Sequence, residues 1–388
     1  MNNNINNISK FGMLSASLFI IFSFFGRILY PFGDEPDFTV RAPRVLNGEH
    51  PLWSPYYIFH DFLQNLTTVS SCKIKASPLS LWATIEHTTC TESLEQILIR
   101  FFLTILIVSP LLYAIIFRKS FVKLMKILQF KKNNIEWNNR LDTLSLTLIF
   151  PSITYFLGIF ADEQFVLVLS LMIFLFWESP IIVLGLLSMI MYLDLGNSIV
   201  VLAFTIFAIF FRFLQKKMSV KFSIFTMLSV IFFALILGYT ILTYVEQIPF
   251  LASKAGSMYN KALGFKNKYP IFVRPIITFM SGTFMTPSGV KVVPIYIIYG
   301  FLLLASFRKI YSRYHLLEKN KIILFYTAFT TILFFIFLFP DYSFAKYYVF
   351  LIPFIFSPLL YLYNKKNIFL LIITSQLIVF IQLILFRL

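Results

Sequence analysis

The apolar residues of this chain are gathered into long runs separated by short polar stretches, rather than spread in the alternation of a half-buried strand. Crossing the hydrocarbon core of a bilayer takes roughly 18 to 20 of them in a helix. Runs that reach or approach this length lie at about 11–31, 99–117, 143–161, 164–178, 180–195, 197–214, 222–245, 294–307, 322–339, 347–363 and 367–386. The pattern predicts an all-α polytopic membrane protein with about 11 transmembrane helices in one integral membrane domain, 1–388. The fourth, fifth and eighth runs are short. The fourth and fifth meet at Trp177-Glu178-Ser179-Pro180, where a single re-entrant element would leave the parity of later spans unchanged.

Composition agrees with the pattern: 59% of residues are hydrophobic and the mean hydropathy is +0.81. The net charge of +16 is not a nucleic-acid footprint, because the basic residues lie between apolar runs and form no soluble basic domain. With the N terminus inside, alternate loops carry Arg118, Lys119, Lys123, Lys126, Lys131, Lys132 and Arg140, then Arg212, Lys216, Lys217 and Lys221, then Arg308, Lys309, Arg313, Lys319 and Lys321, then Lys365 and Lys366. All four sets fall on the cytoplasmic side, as the positive-inside rule requires. No small-residue cleavage site stands out before Tyr30, so the first run reads as an uncleaved span. The expected location is the bacterial inner membrane, with membrane lipids as the surroundings.

Two long loops remain on the outer side, about 32–98 and 246–293, with short turns near Asp162-Glu163, Asp194 and Asp341. The first holds both cysteines, Cys72 and Cys90, which in an oxidising compartment form either one disulfide or two free thiols. Its aromatics around Tyr56-Tyr57-Ile58-Phe59 and Leu81-Trp82 suit helices lying along the interface. The four histidines are too scattered to propose a metal site from spacing, and Asn65-Leu66-Thr67 is a pattern frequent by chance.

The chemistry-bearing residues are acids at span ends. Gly33-Asp34-Glu35-Pro36-Asp37-Phe38 follows the first run, and Asp162-Glu163 sits in the turn between the third and fourth. Acids in the wet headgroup layer stay ionised as acids in hydrocarbon do not. Two acidic turns on one face of a helical bundle can converge, and paired carboxylates can take a proton from an attacking hydroxyl or hold a divalent cation against a phosphate. The ordinary alternative is a solvated acid at a helix end. Against the positive-inside pattern, the outer loop 246–293 carries Lys254, Lys261, Lys266, Lys268, Arg274 and Lys291. Of these Arg274 is flanked by the apolar Ile271-Phe272-Val273 and Pro275-Ile276-Ile277. Anionic lipid headgroups are the ordinary partner for such a loop. Arg41 and Arg44 are also placed to pair with Asp34, Glu35 or Asp37.

The segment comprising the first span, Asp34-Glu35, Phe38 and Ala42-Pro43-Arg44-Val45-Leu46-Asn47-Gly48-Glu49-His50-Pro51 resembles the first outer loop of the GT-C superfamily of polyprenol-dependent membrane glycosyltransferases, of the protein O-mannosyltransferase and aminoarabinose transferase type. Asp162-Glu163 matches the second acidic loop of that superfamily in position. Ser343-Phe344-Ala345-Lys346-Tyr347-Tyr348 through Pro353 is similar to the opening of a late span. Phe38 stands where tyrosine is commoner, and Pro36 follows Glu35 directly. The resemblance implies a GT-C-like fold and sugar transfer on the extracytoplasmic face, from a polyprenyl-phosphate-linked donor to a glycan or lipid-linked acceptor. It implies Asp34 as general base, with Glu35 and Asp162 orienting the acceptor or a divalent cation, Mg2+ or Mn2+, held by Asp34 and Asp162, and Glu163 beside them in the site. The anionic leaving group would be held first by Arg274 and Lys268, with Lys346 and Arg44 next. A repeat-unit polymerase for O-antigen or capsule, using polyprenyl-diphosphate oligosaccharides, fits the same length and charge pattern. A lipid-linked glycan flippase ranks third, because transporters favour midplane charges and inverted repeats.

Overall fold

The computed structural model describes residues 8–29, 47, 58, 72–77, 85–90, 94–128, 130, 134–193, 195–244, 293–338 and 348–387. Helices occupy all eleven apolar runs, and the described chain is predominantly helical. In order they are α1 (Lys10–Leu29), α2 (Leu94–Ile116), α3 (Arg118–Ile127), α4 (Asn134–Leu148), α5 (Pro151–Gly158), α6 (Asp162–Phe176), α7 (Pro180–Leu193), α8 (Leu195–Leu214), α9 (Val220–Tyr244), α10 (Val293–Arg313), α11 (Lys319–Leu338), α12 (Ile352–Leu362) and α13 (Lys365–Arg387). Among the described residues two stretches are long and apolar enough to cross a membrane, Ile97–Ile116 and Lys319–Ile336. They become three if α4 and α5 count as one bent span.

Two features depart from the pattern-based expectation, the bend in the third run and a hairpin in the first long loop. The third run is two helices meeting at 76°, because Pro151 has no N–H to continue α4 and instead occupies the first turn of α5. The fourth and fifth runs are separate short helices as the run boundaries predict, α6 and α7, packed against each other. At 15 and 14 residues and 1.5 Å per residue each is about 22 Å long, short of a ~30 Å hydrocarbon core. The first long loop contains an antiparallel hairpin, β1 (Cys72–Ser77) and β2 (Ile85–Cys90), where only interfacial helices were expected. Leu81-Trp82 falls between these strands, outside the described residues.

The chain divides into two compact units, 1–77 with 85–198 and 366–388, and 78–84 with 199–365. In the first, α1 runs antiparallel to α2. Ser9 N–H donates to the Ile116 carbonyl at 2.8 Å near one end, and Phe24 packs on Phe101 at 5.1 Å near the other. A methyl added at Gly12 would sit 1.8 Å from the Ile115 carbonyl oxygen, so only glycine allows this approach of the two backbones. Helix α13 lies along α1 through Phe11–Phe369 and Phe22–Phe380. The second unit has its core on Phe211, Met227, Ile231 and Ile323, with Phe204 against Phe354 at 4.8 Å. There Thr327 donates to the Met227 sulfur at 3.1 Å, and Lys321 donates to the Tyr361 hydroxyl at 2.8 Å.

Candidate active site

The break between α4 and α5 frees backbone carbonyls in apolar surroundings, where each must find a donor. Thr154 Oγ1 donates to Leu148 O at 2.8 Å, and Gln376 Nε2, from α13, donates to Ile149 O at 3.0 Å and to Thr154 Oγ1 at 2.9 Å. Thr154 and Gln376 are both almost wholly buried. With its carbonyls satisfied, the bend holds α5 against α1, where Ser23 Oγ donates to Thr154 O at 3.4 Å and the Ser23 side chain closes over Gly158.

Helix α6 begins four residues beyond Gly158, after Ala161 in extended backbone, φ −149 and ψ 171. Ala161 offers no capping side chain, and the first turn carries Asp162 and Glu163 instead, charges that the positive end of the helix dipole favours. Gln164, fully buried, donates through Nε2 to Leu157 O at 2.9 Å and Thr104 O at 3.2 Å, which ties α6 to α5 and to α2. One turn before Thr104 on α2 stands Arg100, 2% exposed, and next to Gln164 stands Glu163, 9% exposed. Both are partnered, as charges buried this deeply must be.

The end of α1 around Phe24, the start of α2 around Arg100 and the acidic start of α6 therefore share one end of the first unit. The opposite end is held by other charges. Arg118 pairs with Asp142 and donates to Ser145 Oγ at 3.0 Å, while Arg140 donates to the Phe174 and Leu175 carbonyls at 2.9 and 2.8 Å and pairs with Glu178 at 2.7 Å. Arg140 thus caps the C terminus of α6.

Of the residues singled out from sequence, Asp162 and Glu163 are the first two of α6. Cys72 is the register partner of Cys90, at the open end of the hairpin. Cross-strand Cα partners lie about 4.5–5.5 Å apart, inside the range a disulfide spans. Asp34, Glu35, Arg44, Lys268, Arg274 and Lys346 lie outside the described residues, as do Asp37, Arg41, Asp194 and Asp341. Among the described residues no three His, Cys, Asp or Glu side chains group as metal ligands. Arg100 is the polar residue that hydropathy hides, because it is absorbed into the apolar run starting at about 99. Its signal was an arginine at the end of the second run that the sequence pattern assigns to the outer side, where the positive-inside rule does not put one. No family model, curated protein or solved structure matches the chain.

Proposed function

We propose that the chain is a membrane glycosyltransferase that moves a sugar from a polyprenyl-phosphate-linked donor to an acceptor hydroxyl on the extracytoplasmic face, in cell-surface glycan assembly. One observation carries the reading: the end of α1 and the Asp162-Glu163 start of α6 lie at the same end of the first unit, with the buried Arg100 beside them. Asp34 follows Leu29, the last residue of α1, by five positions, which extended chain spans in at most about 18 Å.

In this reading Asp34 takes the proton of the attacking acceptor hydroxyl, Glu35 and Asp162 orient that acceptor, and Glu163 supports them from the first turn of α6. A divalent cation, if the site takes one, would be held by Asp34 and Asp162 and would neutralise the leaving phosphate. Arg274, Lys268, Lys346 and Arg44 are the candidates for binding that phosphate. The N terminus and the end of the unit carrying Arg118 and Arg140 would face the cytoplasm, consistent with the basic loops.

The test is glycan analysis of cells expressing Asp34→Asn and Asp162→Asn proteins at parental abundance. Loss of a general base is expected to lower transfer by about 100- to 10,000-fold, and unchanged surface glycan in both variants would overturn the assignment. Purified enzyme offered a polyprenyl-phosphate monosaccharide should turn over. Activity only on polyprenyl-diphosphate oligosaccharides would make it a polymerase.

A further inference from the structure

Helix α3 begins two residues beyond Ile116, the end of the stretch Ile97–Ile116 that is long and apolar enough to cross a membrane. A chain leaving hydrocarbon at Ile116 is at the headgroup layer by covalent continuity when α3 starts. The helix has three faces, set by its 100° step per residue. Phe121 and Met125 turn inward and are buried, Phe121 against Trp137 of α4 at 5.5 Å. Lys119, Lys123 and Lys126 are exposed along one flank. Leu124 and Ile127 are exposed on the other, Ile127 at 67%, and Leu128 continues them at the helix end.

A solvated face has no use for Leu124, Ile127 and Leu128 in water, and a face buried in hydrocarbon has no place for three lysines. Only the boundary between the two satisfies both flanks. We infer that α3 is a lipid-binding helix, lying in the leaflet at the C-terminal end of α2 with Leu124 and Ile127 in the acyl boundary and Lys119, Lys123 and Lys126 on anionic phospholipid headgroups. Lys131 and Lys132 follow in sequence and add to the same positive charge. The occupant is a lipid surface because the charge is of one sign and the helix is continuous with a membrane-crossing stretch. The inference rests on α2 crossing a bilayer, and not on glycosyl transfer. Its function is to fix the depth of α2, and so the height of Arg100 at the far end of the same helix.

The test uses the full chain in nanodiscs of phosphatidylcholine alone or with phosphatidylglycerol. An environment-sensitive fluorophore is placed at Ile127→Cys or Leu106→Cys, in a Cys72→Ser, Cys90→Ser background. Leu106, exposed on α2, reports whether that helix crosses. The expected result is Leu106 in hydrocarbon in both lipids, with Ile127 at the headgroup boundary and deeper when phosphatidylglycerol is present. Anionic lipid should be enriched around the protein by about fivefold per lysine at low salt. Lys119→Gln, Lys123→Gln and Lys126→Gln together should diminish that preference by about fivefold for each charge removed, Lys131 and Lys132 keeping the remainder. A label at 106 in water overturns the membrane reading itself. A label at 106 in hydrocarbon with one at 127 in water in both lipids overturns only this inference, and hands the face to a soluble protein. An undiminished anionic preference in the triple variant overturns it as well.

Discussion

Replacing Gln376 by methionine keeps the volume of a buried side chain and removes its donors. Two hydrogen bonds are lost, to Ile149 O and Thr154 Oγ1. In a membrane bundle a side-chain bond contributes about 0.6 kcal/mol on average, while a buried carbonyl left without a donor costs about 1–3 kcal/mol. The Ile149 carbonyl is the group so exposed, since Thr154 Oγ1 keeps its bond to Leu148 O. The expected destabilisation is about 2 kcal/mol, or roughly 4–8 °C in melting temperature at 2–4 °C per kcal/mol. Thermal melting of purified protein in mild detergent measures it. Thr154→Val should also destabilise, and the double variant should lose less than the sum of the two, because the pair acts on one broken segment. Ser375→Ala is the control beside it, since that hydroxyl bonds to Leu371 of its own helix. A Gln376→Met protein that melts with the parent, or strictly additive losses, would refute the idea that the bend depends on these bonds.

Gly12→Ala should force α1 away from α2, since the added methyl meets backbone rather than a flexible side chain; a loss of about 1–3 kcal/mol is expected in the same melting assay. Arg140→Met should lower stability by about 2–3 kcal/mol, chiefly through the uncapped Phe174 and Leu175 carbonyls. Glu178→Gln should cost under about 1 kcal/mol, because that partner is 39% exposed and its ion pair is screened by solvent. Cys72 and Cys90, register partners at the hairpin's open end, should resist alkylation until a reductant is added, and two adducts on unreduced, unfolded protein would exclude the bridge.

Hydropathy located every helix of the described chain that an apolar run foretold, because a run long enough to cross a bilayer is also long enough to be helical. It did not find the bend at Pro151. A proline inside a run either kinks a helix or opens a new one, and the choice here was made by Thr154 and by Gln376, more than 200 residues away. Asp162 and Glu163 were legible because charge interrupts an apolar pattern. Arg100 was not, since a window average absorbs one arginine among leucines and phenylalanines. The tie that brings Arg100 and Glu163 into one neighbourhood runs through Gln164, whose partners are two backbone carbonyls that no residue identity announces. Strand pairing of Cys72 with Cys90 was equally hidden, because two cysteines carry no register.

The donor that completes the bend sits on α13, so residues 149–154 cannot reach their final state while the ribosome is still making residues 155–375. Each segment released earlier must wait in the membrane with carbonyls that only water, lipid headgroups or an insertion chaperone can satisfy. Meanwhile residues 199–365, the bulk of the second unit, are synthesised and can fold. The first unit to begin is thus the last to finish. Trimming α13 would leave it in that waiting state, and the quality-control proteases of the membrane would meet an unfinished N-terminal half rather than a shortened protein.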